Sequence, residues 1–378
     1  MNLPPLRTVL GQPSWSFKSS HVQAHLTKLG GHLGPVAFRV GRKTIAPFSV
    51  APWAEEKPAP NLVPLLRVLR GDFFCAPFGN GSTWRGETHL SHGETANATW
   101  RLKGCERAGP RVTLRATLKT TVRPGRVDKF VTLVDGQTAV YQRHVLWGRG
   151  PMPVGHHAMV EFPEKPGSGV ISTSRFIHGQ VFPAAYGTPE TGSYQSLKPG
   201  ARFRSLASVP MLTGGKADLT RFPSRKGFED VVMLTADPKL PFGWTAVTFP
   251  GERYVWFALR NPRQLRYTLF WISNCGRYAA PWNGRHTAMG LEEITGYFQF
   301  GLARSVQPNP LNRRGIPTAV TLDPKKPTEI RTVMAVAAIP AGFDRVAEIR
   351  ATKTGVELAA ASGQRVRCAV DLGFILPE

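Results

Sequence analysis

The sequence predicts an all-β chain, a large antiparallel β-sandwich, on three observations. Apolar and polar residues alternate with period two over long stretches, glycine and proline punctuate the chain at intervals of about ten residues, and helical periodicity is nearly absent. The alternation is clearest from Val112 through Leu114, Ala116 and Leu118 to Val122, with Thr113, Arg115, Thr117 and Lys119 between them. Side chains in a strand point alternately to its two faces, so this pattern is that of a half-buried strand. The apolar run Val127 to Val134 meets Val140 and Tyr141 across Asp135-Gly136, which predicts a hairpin. A second hairpin is expected where Tyr254 to Leu259 and Leu265 to Ile272 flank Asn261-Pro262. Val366, Cys368 and Val370 alternate near the end.

The punctuation is supplied by 38 Gly and 33 Pro, enough to end many short strands. As for helix, Phe343 to Arg350 has the spacing for two turns, and nothing else holds a 3.6-residue period for long. The chain has no internal repeat of fixed length and no low-complexity linker, so residues 1–378 read as one sandwich domain.

Composition removes several function classes. Hydrophobic residues make up 42% of the chain, so it is globular. No apolar run approaches the roughly 18 residues that span a bilayer, so no membrane partner is expected. Met1-Asn2-Leu3-Pro4-Pro5 lacks the charged-then-apolar layout of a secretory leader, so a cytoplasmic location is expected. Cys75, Cys105, Cys275 and Cys368 are far apart and form no C-x-x-C pair; all four are expected to be buried, reduced side chains. Lys and Arg number 48 against 25 Asp and Glu, a net charge of +23. The basic residues are scattered in ones and twos, as in Arg39, Arg42 and Lys43, without a basic helix or a nucleic-acid-binding motif. Nucleic acid is therefore not the expected partner; anionic substrates or solubility account for the charge equally well.

Three segments concentrate polar residues beside glycine, proline and aromatics: Leu69 to Asn80 with Ser91-His92-Gly93-Glu94, then Pro153 to Met159, then Pro281 to His286 with Met289 to Glu293. His92 before a glycine is equally a turn histidine. His156 and His157 on a strand face opposite ways, as do Glu292 and Glu293, so each pair offers one residue to a given cleft. His89, His92 and Glu94 are metal-ligand types, but on a strand the two histidines fall on opposite faces, and no metal site is expected. There is no G-x-S-x-G nucleophile elbow, no P-loop, and no G-x-G-x-x-G after a strand, so neither a serine hydrolase nor a nucleotide cofactor is indicated.

Taken in order, these segments resemble the aldose 1-epimerase (galactose mutarotase-like) family. Gly30-Gly31-His32-Leu33-Gly34-Pro35-Val36 resembles the family's opening glycine-containing hairpin. Gly71-Asp72, Pro77-Phe78 and Asn80 match its "G-D-x-x-x-x-P-F-x-N-R", and His92-Gly93 its "H-G". His157 resembles the strand histidine that contacts the sugar, and Gly290-Leu291-Glu292 the late "G-L-E-P". Pro308 to Asn312 and Leu322-Asp323-Pro324 are similar to the closing region, where a last strand enters the sandwich. The family's arginine after the asparagine is Gly81 here, for which Arg70 or Arg85 is a substitute, and the proline after the glutamate is Glu293. For the aspartate that grips the sugar, Asp230 is the nearest candidate.

The resemblance implies an isomerase that interconverts sugar anomers by ring opening, with Glu292 as general base and His157 as general acid. His92, Asn80, Arg70, Asp72, Trp282 and Arg285 are then the substrate-binding residues, with Trp282, Phe78 or Trp84 available to stack on the sugar. Neither cofactor nor covalent intermediate is implied. Two other readings stand beside it: an epimerase of an anionic sugar, a phosphate or uronate, and a non-catalytic carbohydrate-binding sandwich. The first two readings need Glu292 and His157 on one cleft, the third only aromatics and hydrogen-bonders.

Overall fold

The computed structural model describes residues 3–186, 188, 190 and 192–376. Among these residues the chain forms a 12-stranded and a nine-stranded sheet, with every strand pair antiparallel, as between Arg111–Thr120 and Gly125–Val134. Helix is limited to short pieces, Pro64–Arg67, Gly93–Asn97 and Gly301–Val306. No helix of the described residues is long and apolar enough to cross a membrane.

The predicted strands pair as the alternation requires. Arg111–Thr120, Gly125–Val134 and Ala139–Trp147 run consecutively in the nine-stranded sheet. Val112, Leu114, Ala116 and Leu118 point between the two sheets, into the core cluster that Val36, Phe38, Val160 and Leu291 of the larger one also enter. Thr328–Ala338 enters the centre of the nine-stranded sheet, between Tyr254–Arg260 and Ala139–Trp147. Each large side chain removed from water here, such as Leu26 or Phe38, contributes about 1.5–3 kcal/mol before ordering costs.

Three local expectations are corrected. Tyr254–Arg260 and Tyr267–Asn274 do not form a hairpin: the first lies in the nine-stranded sheet and the second in the larger one. Both strands are buried along their whole length, so each is central to its own sheet, and Asn261-Pro262 carries the chain across the sandwich. The segment Phe343 to Arg350 is not helical; Val346–Thr352 is a strand that pairs with Gly355–Ala360. A register shift between Val346 and Glu348 puts buried Val346 and Ile349 three residues apart, which imitates a helical period. With Arg365–Ala369 these strands make a small sheet that packs its apolar face against the outer side of the nine-stranded sheet, around Val356, Leu358, Tyr141 and Val333. The cysteines are all free, but Cys105 and Cys275 are half-exposed rather than buried.

The space between the sheets also holds charge. Lys129 is fully buried, donates to the Gly31 carbonyl at 2.6 Å and lies 5.5 Å from the Trp100 ring; burial pulls its ammonium down to about 8. Asp72 sits nearby, paired with His156 Nδ1 at 2.8 Å and accepting from Gln142 Nε2 at 2.7 Å.

Candidate active site

Five strands of the larger sheet, Asp72–Cys75, Val154–Glu161, Thr287–Thr295, Tyr267–Asn274 and Phe228–Ala236, lie side by side in that order. Their faces turned away from the nine-stranded sheet line a cavity of about 210 Å³. Phe73, His157, Glu292, Leu269, Trp271 and Val231 come from these strands, and Leu65, Leu66, Asn80, His92, Trp282 and Gln299 from the connections above them.

His157 and Glu292 stand directly opposite each other on paired antiparallel strands. Side chains so placed start about 4.5–5.5 Å apart at Cβ, and here Nε2 reaches to 3.2 Å from Oε1. Burial raises the Glu292 carboxyl well above its ordinary range and drops the His157 imidazole well below its own. Both shifts favour the uncharged forms, so the proton of the pair rests on Glu292. The His157 ring is fixed by stacking on Phe73 at 4.4 Å, and Phe73 in turn stacks on His32 at 4.3 Å. Gly290 leaves the space the pair needs: a Cβ there would lie 2.7 Å from Glu292 Oε1 and 3.3 Å from His157 Cε1.

His92 joins them, with its ring 5.1 Å from that of His157 and its own imidazole pulled down to about 4 by burial. It occupies the left-handed region at φ 60°, followed by Gly93 at φ 71°, a turn that aims the ring into the cavity. Asn80 is tied to the same rim, its backbone N–H donating to the Gln299 carbonyl at 2.6 Å. Trp282 packs edge-on against Trp53 at 4.7 Å and Trp271 at 5.5 Å.

Three other expected binding residues lie outside the cavity. Arg70 is fully buried and spends its guanidinium on backbone carbonyls, those of Val68, Val9 and Leu10 at 3.2, 2.9 and 2.8 Å, which staples the N-terminal turn. Asp72 follows the strand alternation to the opposite side from Phe73 and serves the pair with His156 between the sheets. Arg285 is at the surface, bound to the Glu56 carboxylate at 2.6 and 2.9 Å. Arg85 lies over the Trp84 ring at 4.6 Å, and neither lines the cavity. Phe78 is buried beneath His92, and Asp230 accepts from the Ser196 and Leu197 backbone on the far face of its strand. The metal-ligand types diverge: His89 pairs with Glu87 at 3.1 Å, Glu94 accepts from Thr121 and Val122, and His92 faces the cavity.

Sequence reasoning missed a further cluster. Glu229, next to Asp230 and so on its other face, is fully buried and saturated: it accepts from Arg277 Nε and Nη2 at 3.0 and 2.7 Å, from Ser193 Oγ at 2.7 Å, from Tyr186, and from Trp271 Nε1. The Arg277 guanidinium lies 4.7 Å from the Trp282 ring. Alternation around Asp230 was the available signal for Glu229; Arg277 sits in no motif. The Gln299 side chain is buried, lines the cavity, and has neither amide atom hydrogen-bonded among the described residues.

No protein-family model matches this chain, and no curated protein sequence matches it. Its fold does match solved structures. A candidate aldose 1-epimerase from Klebsiella pneumoniae superposes with a TM-score of 0.60 at 13% identity, over 88% of this chain and 82% of that one. A candidate mutarotase from Salmonella typhimurium does so with 0.58 at 11%, over 89% and 94%. A galactose mutarotase related enzyme from Lactobacillus acidophilus gives 0.54 at 12%, over 86% and 97%. The chain has the galactose mutarotase-like fold.

Proposed function

We propose that this chain is a carbohydrate isomerase of the aldose 1-epimerase type, acting on a neutral aldose. The observation that carries the reading is the His157–Glu292 pair: two buried titratable groups 3.2 Å apart in a cavity, to which no other side chain hydrogen-bonds among the described residues. Opening a pyranose ring requires removal of the anomeric hydroxyl proton and delivery of a proton to the ring oxygen. Those two oxygens share one carbon, so the two groups must be adjacent, as they are here.

The proton inventory fits. The resting pair holds one transferable proton, on Glu292. Its passage to His157 leaves a carboxylate base beside an imidazolium acid, with no change in the number of protons. Glu292 then accepts from the anomeric hydroxyl while His157 donates to the ring oxygen; the aldehyde rotates, and reclosure returns both protons. General acid and base each supply about 10²–10⁴ in rate. One proton on the pair is the working state. Activity therefore falls on the acid side where His157 takes a second proton, below its ordinary 6.5, and on the alkaline side where Glu292 loses its own, above its ordinary 4.5.

The charge of the cavity supports a neutral sugar. Among the residues that line it, Arg277 is the one Arg or Lys, and its charge is matched by Glu229. The excess positive charge lies elsewhere on the chain. The test is anomer exchange followed by NMR over a panel of neutral aldoses, sugar phosphates and uronates. Acceleration of a neutral aldose is the expected result. Binding of a sugar without any acceleration overturns the isomerase in favour of a binding protein, and acceleration confined to acidic sugars overturns the neutral substrate.

A further inference from the structure

The His92 ring is enclosed on most sides. Its edges meet Phe73 at 5.7 Å and Phe78 at 5.4 Å, and its main chain is pinned by the N–H donated to the Gly79 carbonyl at 2.6 Å. Its Nδ1 lies 3.3 Å from Sγ of Cys75, a fully buried thiol on the same strand and face as Phe73. The remaining polar atom of the ring is Nε2, and His92 lines the cavity.

We infer that Cys75 is a positioning residue: its thiol donates to His92 Nδ1 and so fixes the Nε2–H tautomer, which makes His92 a hydrogen-bond donor toward the cavity. Both partners are neutral. Burial, with Glu292 and Asp72 adding to it, keeps the thiol protonated, and burial alone keeps the imidazole uncharged. A neutral imidazole has one N–H and one bare nitrogen, and its neighbour decides which is which. In the reverse arrangement Nδ1–H would point at sulfur, a weak acceptor, and the thiol proton would turn to the Phe73 carbonyl at 4.0 Å, the outer limit of such a contact. The shorter contact instead joins the thiol proton to the basic ring nitrogen. What the resulting donor meets, a sugar oxygen, rests on the function proposed above; the tautomer itself does not.

The experiment is a nitrogen–proton correlation spectrum of the histidine side chains at neutral pH for wild type, Cys75→Ser and Cys75→Ala, paired with KM and kcat on the best neutral aldose. The expected result is an Nε2–H tautomer for His92 in wild type and Cys75→Ser, and a mixture in Cys75→Ala. Loss of one oriented hydrogen bond should raise KM about three- to tenfold in Cys75→Ala, with kcat nearly unchanged and recovery in Cys75→Ser. An Nδ1–H tautomer in wild type, or a Cys75→Ala spectrum identical to wild type, overturns the inference. If Cys75→Ala does not fold, the wild-type and Cys75→Ser spectra decide the matter alone. If the wild type turns over no sugar, the isomerase reading fails while the spectra still decide the tautomer.

Discussion

The strands Val154–Glu161 and Thr287–Thr295 present the same two residue types, side by side, to both of their faces. On the face between the sheets, His156 stands opposite Glu293; on the cavity face, His157 stands opposite Glu292. The inner residues are satisfied by neighbours. His156 Nδ1 is bound to Asp72 at 2.8 Å, and Glu293 holds Arg260 together with the hydroxyls of Thr245 and Thr268, at 2.6 and 3.0 Å for the two hydroxyls. The cavity residues have each other, and His157 Nδ1 has no partner among the described residues. Chemistry and burial are nearly equal on the two faces, so neither identifies a site. The difference is in unused hydrogen-bonding capacity: an inner pair closed by the nine-stranded sheet is structural, while the pair left open to a cavity is available to a ligand.

That contrast can be broken from either face, and the largest effect is expected on the inner one. Glu293→Gln leaves the Arg260 guanidinium buried without its counter-charge, which typically costs about 3–5 kcal/mol. Denaturant unfolding should show that loss, and a stability within about 1 kcal/mol of wild type counts against a structural role for the inner pair. On the cavity face the loss should appear in turnover. Glu292→Gln and His157→Asn should each lower anomer exchange by about 10²-fold or more, equivalent to about 2.7 kcal/mol, with sugar affinity within a few-fold of wild type. Affinity loss with turnover intact would mean that the two residues merely bind the sugar. Gly290→Ala should act more weakly, because its methyl meets chiefly the tip of the Glu292 side chain at 2.7 Å, with Trp271 Cβ of the neighbouring strand at 3.2 Å. A drop of about tenfold in rate with a small loss of melting temperature is expected, in line with the cost of a small misplacement beside Trp271.

The smallest effect concerns pH and stability. The Glu292 carboxyl is raised by burial, so the stability it contributes is complete below its ordinary value of 4.5 and is lost as pH rises through the raised value. Glu292→Gln removes that loss. The variant should match wild type in mild acid and become progressively the more stable of the two toward alkaline pH, which thermal melts across the range can measure. His157 has the opposite sign: its contribution is present above 6.5 and is lost as pH falls through the lowered value. A Glu292→Gln protein that is less stable than wild type at alkaline pH would place Glu292 with the structural residues.

Much of this architecture is legible in the chain itself. Period-two patterning in Arg111–Thr120 gives a strand and tells which residues lie on each face, because successive side chains must alternate whatever the partner strand is, and the apolar run Val127 to Val134 before Asp135-Gly136 gives the strand that pairs with it. The same rule splits His156 from His157 and Glu292 from Glu293, and the ordered motifs select one member of each pair. Patterning failed where a strand is buried on both faces or bulged. Tyr254–Arg260 and Tyr267–Asn274 are continuously apolar and carry no mark of which sheet each joins, and the bulge near Val346 gives a strand the spacing of a helix.

What the sequence by itself determined, then, is the set of strands and the facing of their residues, since these follow from backbone geometry within a single segment. Only the tertiary structure decided which face becomes a cavity. The nine-stranded sheet covers one side and leaves Glu292 beside His157 on the other. It also engaged Arg70 and Arg285 away from the cavity, because carbonyls of Val9 and Leu10 and the Glu56 carboxylate reach them first. Arg277 and Glu229, 48 residues apart, come together there. A side chain's partners are set by whatever packing brings within about 3 Å of it, and that proximity between distant segments is not written in any local pattern.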